Sequence, residues 1–223
     1  MPATFHTLED DWLAAYAAGG LSRAKRLLIS CQAAVQPKLS AMLNGFDHIG
    51  GAFLEAAHGE SVSDGFMTRM MAGLDAPQDE RSDAAPSPAR DADERQAWMP
   101  APLKSFLQEA GSTLDWRGVG PGVECASISR DGDELLYLLK ANGGIKIPEH
   151  SHRGEEWTLI LQGGYHVGET GYGPGDLHRE DETCAHQPII DDDGAACISL
   201  VAVEGRLVFR DPLLKVLQPL FRI

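Results

Sequence analysis

No apolar run in this 223-residue chain approaches the roughly 20 residues needed to cross a bilayer. The opening stretch Met1-Pro2-Ala3-Thr4-Phe5-His6 also lacks a basic segment leading into an apolar one. A membrane partner and export are therefore not expected, and the chain is assigned to the cytoplasm. Cysteine is sparse too. Cys31, Cys125, Cys184 and Cys197 show no close pairing or framework spacing, which agrees with a reducing compartment. Positive charge is scarce: 19 Lys and Arg stand against 33 Asp and Glu, a net charge of -14. Phosphate contacts need clustered basic residues, so direct nucleic-acid binding is not expected and basic partners are favoured. No internal repeat is visible. What is present, 43% hydrophobic residues, is enough for ordinary cores in one large domain or two small ones.

Hydrophobic spacing divides the chain. Residues 6–74 read as helices. Thr7 and Asp10 can form a capping box, and Leu8, Trp12, Leu13 and Tyr16 recur at helical spacing before Gly19-Gly20. Ser22 can cap a second helix carrying Leu27 and Leu28. Pro37 belongs in the first turn of a third, so the pattern breaks between Ala33 and Gln36. Leu13, Tyr16, Leu27, Leu28, Leu39, Leu43 and Phe53 are the expected core of this unit. Ser61-Val62-Ser63-Asp64 leads into a stripe of Phe66, Met67, Met70, Met71 and Leu74, which is core or an adaptable binding face. From Asp75 to Ala97 the composition of Pro, Ala, Asp, Glu, Ser and Arg reads as a linker. Beyond Trp98, short apolar segments at 114–116, 123–128 and 135–139, divided by Gly and Asp turns, have the cadence of an all-β domain.

The chemistry is concentrated in Pro148 to Gly163. Strand side chains alternate, so His150 and His152 project to one side, and Glu156 opens a second strand after the Arg153-Gly154 turn. Apolar residues lie on both faces of that second strand, so it is expected to be covered on both sides. Gly173-Pro174-Gly175-Asp176-Leu177 supplies a later turn, followed by two candidate third histidines, His178 and His186. Three imidazoles and one carboxylate suit a single divalent ion, with Zn, Mn, Fe(II) and Ni all acceptable. Cys184, two residues from His186, is weighed as an extra ligand or oxidisable thiol against a packing role, and Cys197 reads as core.

The His-x-His, Glu and Gly spacing resembles the first motif of the cupin superfamily, small β-barrels of jelly-roll type. A helical unit joined by a linker to one cupin resembles the ChrR family of anti-sigma factors. Leu13 to Gly19, His150 to Gly163 and Val216 to Ile223 carry that resemblance. It implies an α+β multidomain chain: a small N-terminal helical domain at 1–75, a linker at 76–97, and a C-terminal all-β cupin at 98–223. It also implies a helical unit that wraps an extracytoplasmic-function sigma factor, and a cupin that senses singlet oxygen or organic peroxide. The family's third cupin histidine lies in a His-x-Pro segment, which selects His186; the ligand set implied is His150, His152, Glu156 and His186, with zinc the first choice of metal.

One departure from the family bears on the helical unit. The family's helical zinc site uses an early His and a His-x-x-x-Cys-x-x-Cys segment; here His6 matches, but Cys31, Val35 and Lys38 occupy the segment's ligand positions. His6 and Cys31 are too few for a closed tetrahedral site, and Cys31 reads as a small buried apolar residue. Two further readings compete with the anti-sigma one. A metal-dependent cupin enzyme, a dioxygenase or isomerase, would use the same four ligands, although no separate acid or base pair lies near the motif. A cupin sensor that has lost sigma binding is the other.

Overall fold

The computed structural model describes residues 10–63, 65–75, 97–205 and 207–209. His6, the Thr7 capping box, most of the expected linker and the segment from Val216 to Ile223 lie outside the described residues. The described helices are α1 (Asp10–Ala17), α2 (Arg23–Val35), α3 (Pro37–Ala56), α4 (Phe66–Asp75) and α5 (Ala101–Glu109). The strands are β1 (Arg117–Gly120), β2 (Val123–Asp131), β3 (Glu134–Ala141), β4 (His150–His152), β5 (Glu156–Gln162), β6 (Tyr165–Val167), β7 (Thr170–Tyr172), β8 (Leu177–Glu180), β9 (Ile189–Ile190), β10 (Cys197–Glu204) and β11 (Leu207–Phe209).

Helix α2 starts where its cap dictates. Ser22 Oγ accepts from Lys25 N at 3.2 Å and donates to Glu134 Oε1 at 2.7 Å, so one hydroxyl caps the helix and ties it to the start of β3. The helix ends at Gln36, extended at φ -121°, because Pro37 follows and disfavours helical backbone before it. Pro37 then opens α3 at a first-turn position, where its missing N–H costs nothing.

All described strand pairings are antiparallel, in a six-stranded sheet of order β1-β2-β3-β10-β5-β8 and two smaller groups, β7-β6-β9 and β11-β4. Alternation along the central strands sorts side chains into two layers. Leu200 stands opposite both Leu138 and Leu159, and all three join Trp157 in a core that also contains Leu13, Leu27 and Leu28 from the helices. Each fully buried leucine there contributes about 1.5–3 kcal/mol relative to exposure. Tyr137, Thr158, Ser199 and Val201 have the opposite parity and face the barrel interior. This explains why β5 is apolar on both faces: α1 and α2 cover its outer one, with Trp12 edge-on to Trp157 at 5.0 Å.

Three sequence expectations need correction. The helical unit does not close a core of its own, since Leu13, Leu27 and Leu28 share one with the sheet. Phe53 is not core: it is 75% exposed, and Ile49 and Leu54 are exposed beside it, because only the first half of α3, through Leu39 and Leu43, meets α1 and α2. Residues 114–116 precede the first strand rather than form one. Helix α5 was also missed, although Leu103, Phe106 and Leu107 have helical spacing and are buried on the shared core.

Candidate metal centre

Strand β4 is three residues long, so both ends of it, His150 and His152, face the same way, and both are buried. Glu156 enters from the first position of β5, after a turn whose Gly154 leaves no room for a side chain: a Cβ there would lie 2.9 Å from Glu204 Cβ. His186 arrives from outside the named strands, paired through an isolated bridge in which the backbones of His150 and His186 exchange both hydrogen bonds. The four candidate ligand atoms lie within 4.8 Å of one another. His150 Nε2 and His186 Nε2 are 3.1 Å apart, and His152 Nε2 is 3.4 Å from Glu156 Oε2. Ligands about 2.1 Å from one ion stand roughly 3–4 Å apart, so these separations suit a shared centre.

Hydrogen bonding points the same way. His150 Nδ1 donates to the Pro148 carbonyl at 2.8 Å, which fixes the tautomer and leaves Nε2 as a lone pair facing the cluster. Both ring nitrogens of His152, and Nδ1 of His186, are buried without a hydrogen-bond partner among the described residues. Buried polar atoms normally find partners, and a cation would satisfy the cluster-facing nitrogen of His152, which no protein group does. Burial pushes the His150 pKa down to about 4, against the pull of the Glu156 carboxylate, and burial also lowers that of His152. Both are therefore neutral at physiological pH, the state a metal requires.

His178 takes a different role. Its Nε2 donates to Glu180 Oε1 at 2.8 Å, while the Tyr165 hydroxyl, kept protonated by burial, donates to Nδ1 at 2.7 Å. Glu180 Oε1 in turn lies 3.7 Å from His186 Nδ1. Its carboxyl is held well below the usual range by the hydrogen bond to His178 and by His186. The signal for this array was present in Leu177-His178-Arg179-Glu180, whose alternation puts His178 and Glu180 on one face.

Cys184 is exposed, so neither packing nor ligation describes it. Cys197 is core, and Cys31 is buried with its thiol pushed up to about 12 by desolvation, partly opposed by a backbone hydrogen bond from Leu103. Among the described residues, His150, His152, Glu156 and His186 form the one group able to hold a metal.

Beside this group lies a cavity of about 590 Å³, bounded by both the large sheet and the smaller ones and lined by His150 and Glu156 among mostly apolar side chains. Outside the barrel, α2 grips the turns of both halves of the motif. Lys25 Nζ reaches Glu155 and Glu204, and Gln32 and Gln36 donate to the carbonyl of Gly175, a residue at φ +90° that favours glycine.

Residues 109–203 match the family model described as the ChrR cupin-like domain. The chain is 35% identical to the anti-sigma-E factor ChrR of Cereibacter sphaeroides over 218 residues, 98% of each chain. It is also similar to the crystal structure of Rhodobacter sphaeroides SigE in complex with the anti-sigma ChrR, with TM-score 0.73 and 31% identity over 89% of this chain and 98% of that one. No helix among the described residues is long and apolar enough to cross a membrane.

Proposed function

Because the chain belongs to the ChrR family of anti-sigma factors, we propose that it holds an extracytoplasmic-function sigma factor through residues 1–75 and releases it when a metal-binding cupin, residues 98–223, responds to reactive oxygen or peroxide. The observation that carries the partner half is the uncovered apolar surface of α3 and α4. Ile49, Phe53 and Leu54 on α3, then Phe66, Met67, Met70 and Met71 on α4, are all exposed. Exposed apolar side chains repeated along two helices mark a protein interface, and the methionines adapt to an irregular one. The acidic balance of the chain favours a basic partner, as a promoter-binding protein is.

On this reading His150, His152, Glu156 and His186 hold one divalent ion, zinc by first preference with Fe, Mn and Ni compatible with the same donors. The ion supplies a centre that draws β4, β5 and the His186 segment together. Glu156 follows Glu155 directly, and Glu155 is bonded to Lys25 on α2, so a change at the centre reaches the helices through two residues. That connection supports a sensor that shifts the population of sigma-bound conformers. The chain acts in the cytoplasm, where its thiols stay reduced.

The test is titration of the full chain with each extracytoplasmic-function sigma factor of its source. One is expected to bind, and Phe53→Asp with Leu54→Asp should weaken that binding at least about a hundredfold while leaving the melting transition in place. Failure to bind any of them overturns the proposal. The cavity against His150 and Glu156 favours a second reading, a metal-dependent dioxygenase or isomerase. Oxygen uptake by Fe(II)-loaded protein with small organic substrates decides between them.

A further inference from the structure

We propose that the cavity beside the metal centre is a binding site for a medium-chain aliphatic carboxylate. Its volume, about 590 Å³, falls within the roughly 300–1,000 Å³ of small-molecule sites. Val123, Leu139, Ile145, Ile147, Ile190 and Val201 give it apolar walls contributed by facing parts of the barrel. Two of its few hydroxyls are already engaged: Thr158 Oγ1 donates to Glu156 at 3.1 Å, and Tyr165 bonds His178. A sugar, nucleotide or peptide needs polar partners along its length and would leave hydroxyls or amides unpaired against these walls. An alkyl chain does not.

Charge selects the head group. Three neutral imidazoles and the Glu156 carboxylate leave a divalent ion with one uncompensated positive charge at the cavity wall, and the exposed Lys146 adds a second cation at its rim. A monoanion with an oxygen donor balances the centre, and a carboxylate is the simplest that also carries a chain. The proposal rests on the metal reading for this charge and extends it to the ligand class that the sensor barrel accepts. Ligand entry would fill the space between the large sheet, whose outer face carries α2, and the smaller strand groups.

The experiment titrates Co(II)-loaded, full-length protein with acetate, butanoate, hexanoate and octanoate, following heat and the visible bands of the bound ion. Octanoate is expected to bind one per chain and perturb the bands, with affinity rising about fourfold per added methylene. Octanol, lacking the charge, should bind at least tenfold more weakly. Val201→Phe and, on the edge strand, Val119→Trp both intrude into the cavity; each should weaken octanoate at least tenfold, and Val119→Trp tests the point if Val201→Phe does not fold. Metal content should be unchanged in both. Equal affinity for acetate and octanoate, no saturable binding to the metal-loaded protein, or full binding in a folded cavity-filling variant would overturn the proposal and leave sigma-factor binding untouched. Failure to take up metal would instead refute the metal reading, and with it the charge argument for a carboxylate.

Discussion

The Lys25 ammonium on α2 sits 2.8 Å from Glu155 Oε2, one residue before the candidate ligand Glu156. Its second partner, Glu204 at 2.6 Å, lies at the end of β10, and the same ammonium stands over the ring of Trp157 at 5.1 Å. Lys25 is buried while its two carboxylates are partly exposed, so the pairing is worth less than a fully buried ion pair and more than a surface one. Lys25→Met keeps the stem and removes the charge. It should cost about 1–3 kcal/mol in denaturant unfolding. Metal addition should protect α2 amides from hydrogen exchange in the wild type and do so much less in this variant. Equal protection in both would show that the contact does not carry the coupling.

The same contact has a pH signature. Burial alone would lower the Lys25 pKa, but the hydrogen bonds to Glu155 and Glu204 outweigh it, so the folded value lies above 10.5. The unfolded value is about 10.4. A raised pKa means the folded state holds the proton more tightly, so the contribution is complete below the unfolded value and is lost as pH rises through the folded one. The stability difference between wild type and Lys25→Met should stay flat between about pH 6 and 9 and shrink above about pH 10.5. A difference that shrinks below pH 9 would contradict this origin.

Thiol reactivity follows from burial. Desolvation pushes Cys31, Cys125 and Cys197 each to about 12, whereas Cys184 is exposed. Thiolate is the reactive form, so mild alkylation of the native protein at about pH 8 should label Cys184 alone. Labelling should extend to all four cysteines after unfolding. Modification of Cys31 in the folded chain would mean that α2 opens away from α5.

Much of the β half was legible because alternation is a two-state signal. Glu156, Thr158 and Ile160 were separated from Trp157, Leu159 and Leu161 by parity alone, and the structure turns the first two of the former group toward the cavity and Trp157 and Leu159 onto the helices. Phe53 was misread because helical periodicity marks an apolar face without saying whether this chain or another covers it. The separate helical core failed for a related reason: nothing local in Leu27 or Leu28 states that they share a core with Leu159 and Leu200, 130 or more residues away. Spacing after the glycine turn suits His178, and only the family's His-x-Pro segment pointed to His186. Geometry separates them, giving His178 to Tyr165 and Glu180 and His186 to the cluster. Helix α5 was lost among the strands because its nine residues make only about two and a half turns, and its buried trio Leu103, Phe106 and Leu107 spans little more than one.

Metal content should be about one ion per chain. Cys31 is packed among apolar residues with its thiol pushed up to about 12, and with His6 it makes only two of the four ligands a closed structural site needs. His150→Ala with His152→Ala should abolish bound metal, and Cys31→Ser should leave it unchanged. Elemental analysis showing two ions that fall to one in Cys31→Ser would reveal a helical site that these contacts do not predict.

Glu180 faces both His178 and His186. It accepts from His178 at 2.8 Å and lies 3.7 Å from His186 Nδ1, too far for a hydrogen bond yet close enough for one to form if the ring shifts slightly onto an ion. A ligating imidazole whose far nitrogen donates to a carboxylate is held in one tautomer and becomes a better donor to the metal. Glu180→Gln preserves shape and one acceptor oxygen but removes the charge that strengthens the contact. Metal affinity should therefore fall about 10–100-fold, with the protein still folded and still binding one ion at saturation. Tyr165→Phe removes the donor to His178 one step further out and should weaken affinity by a smaller factor. The measurement is competition against a chromophoric chelator, run for both variants and for wild type. Unchanged affinity in Glu180→Gln would mean that His186 is oriented by its backbone bridge to His150 alone, because those two main-chain hydrogen bonds are then sufficient to fix the ring.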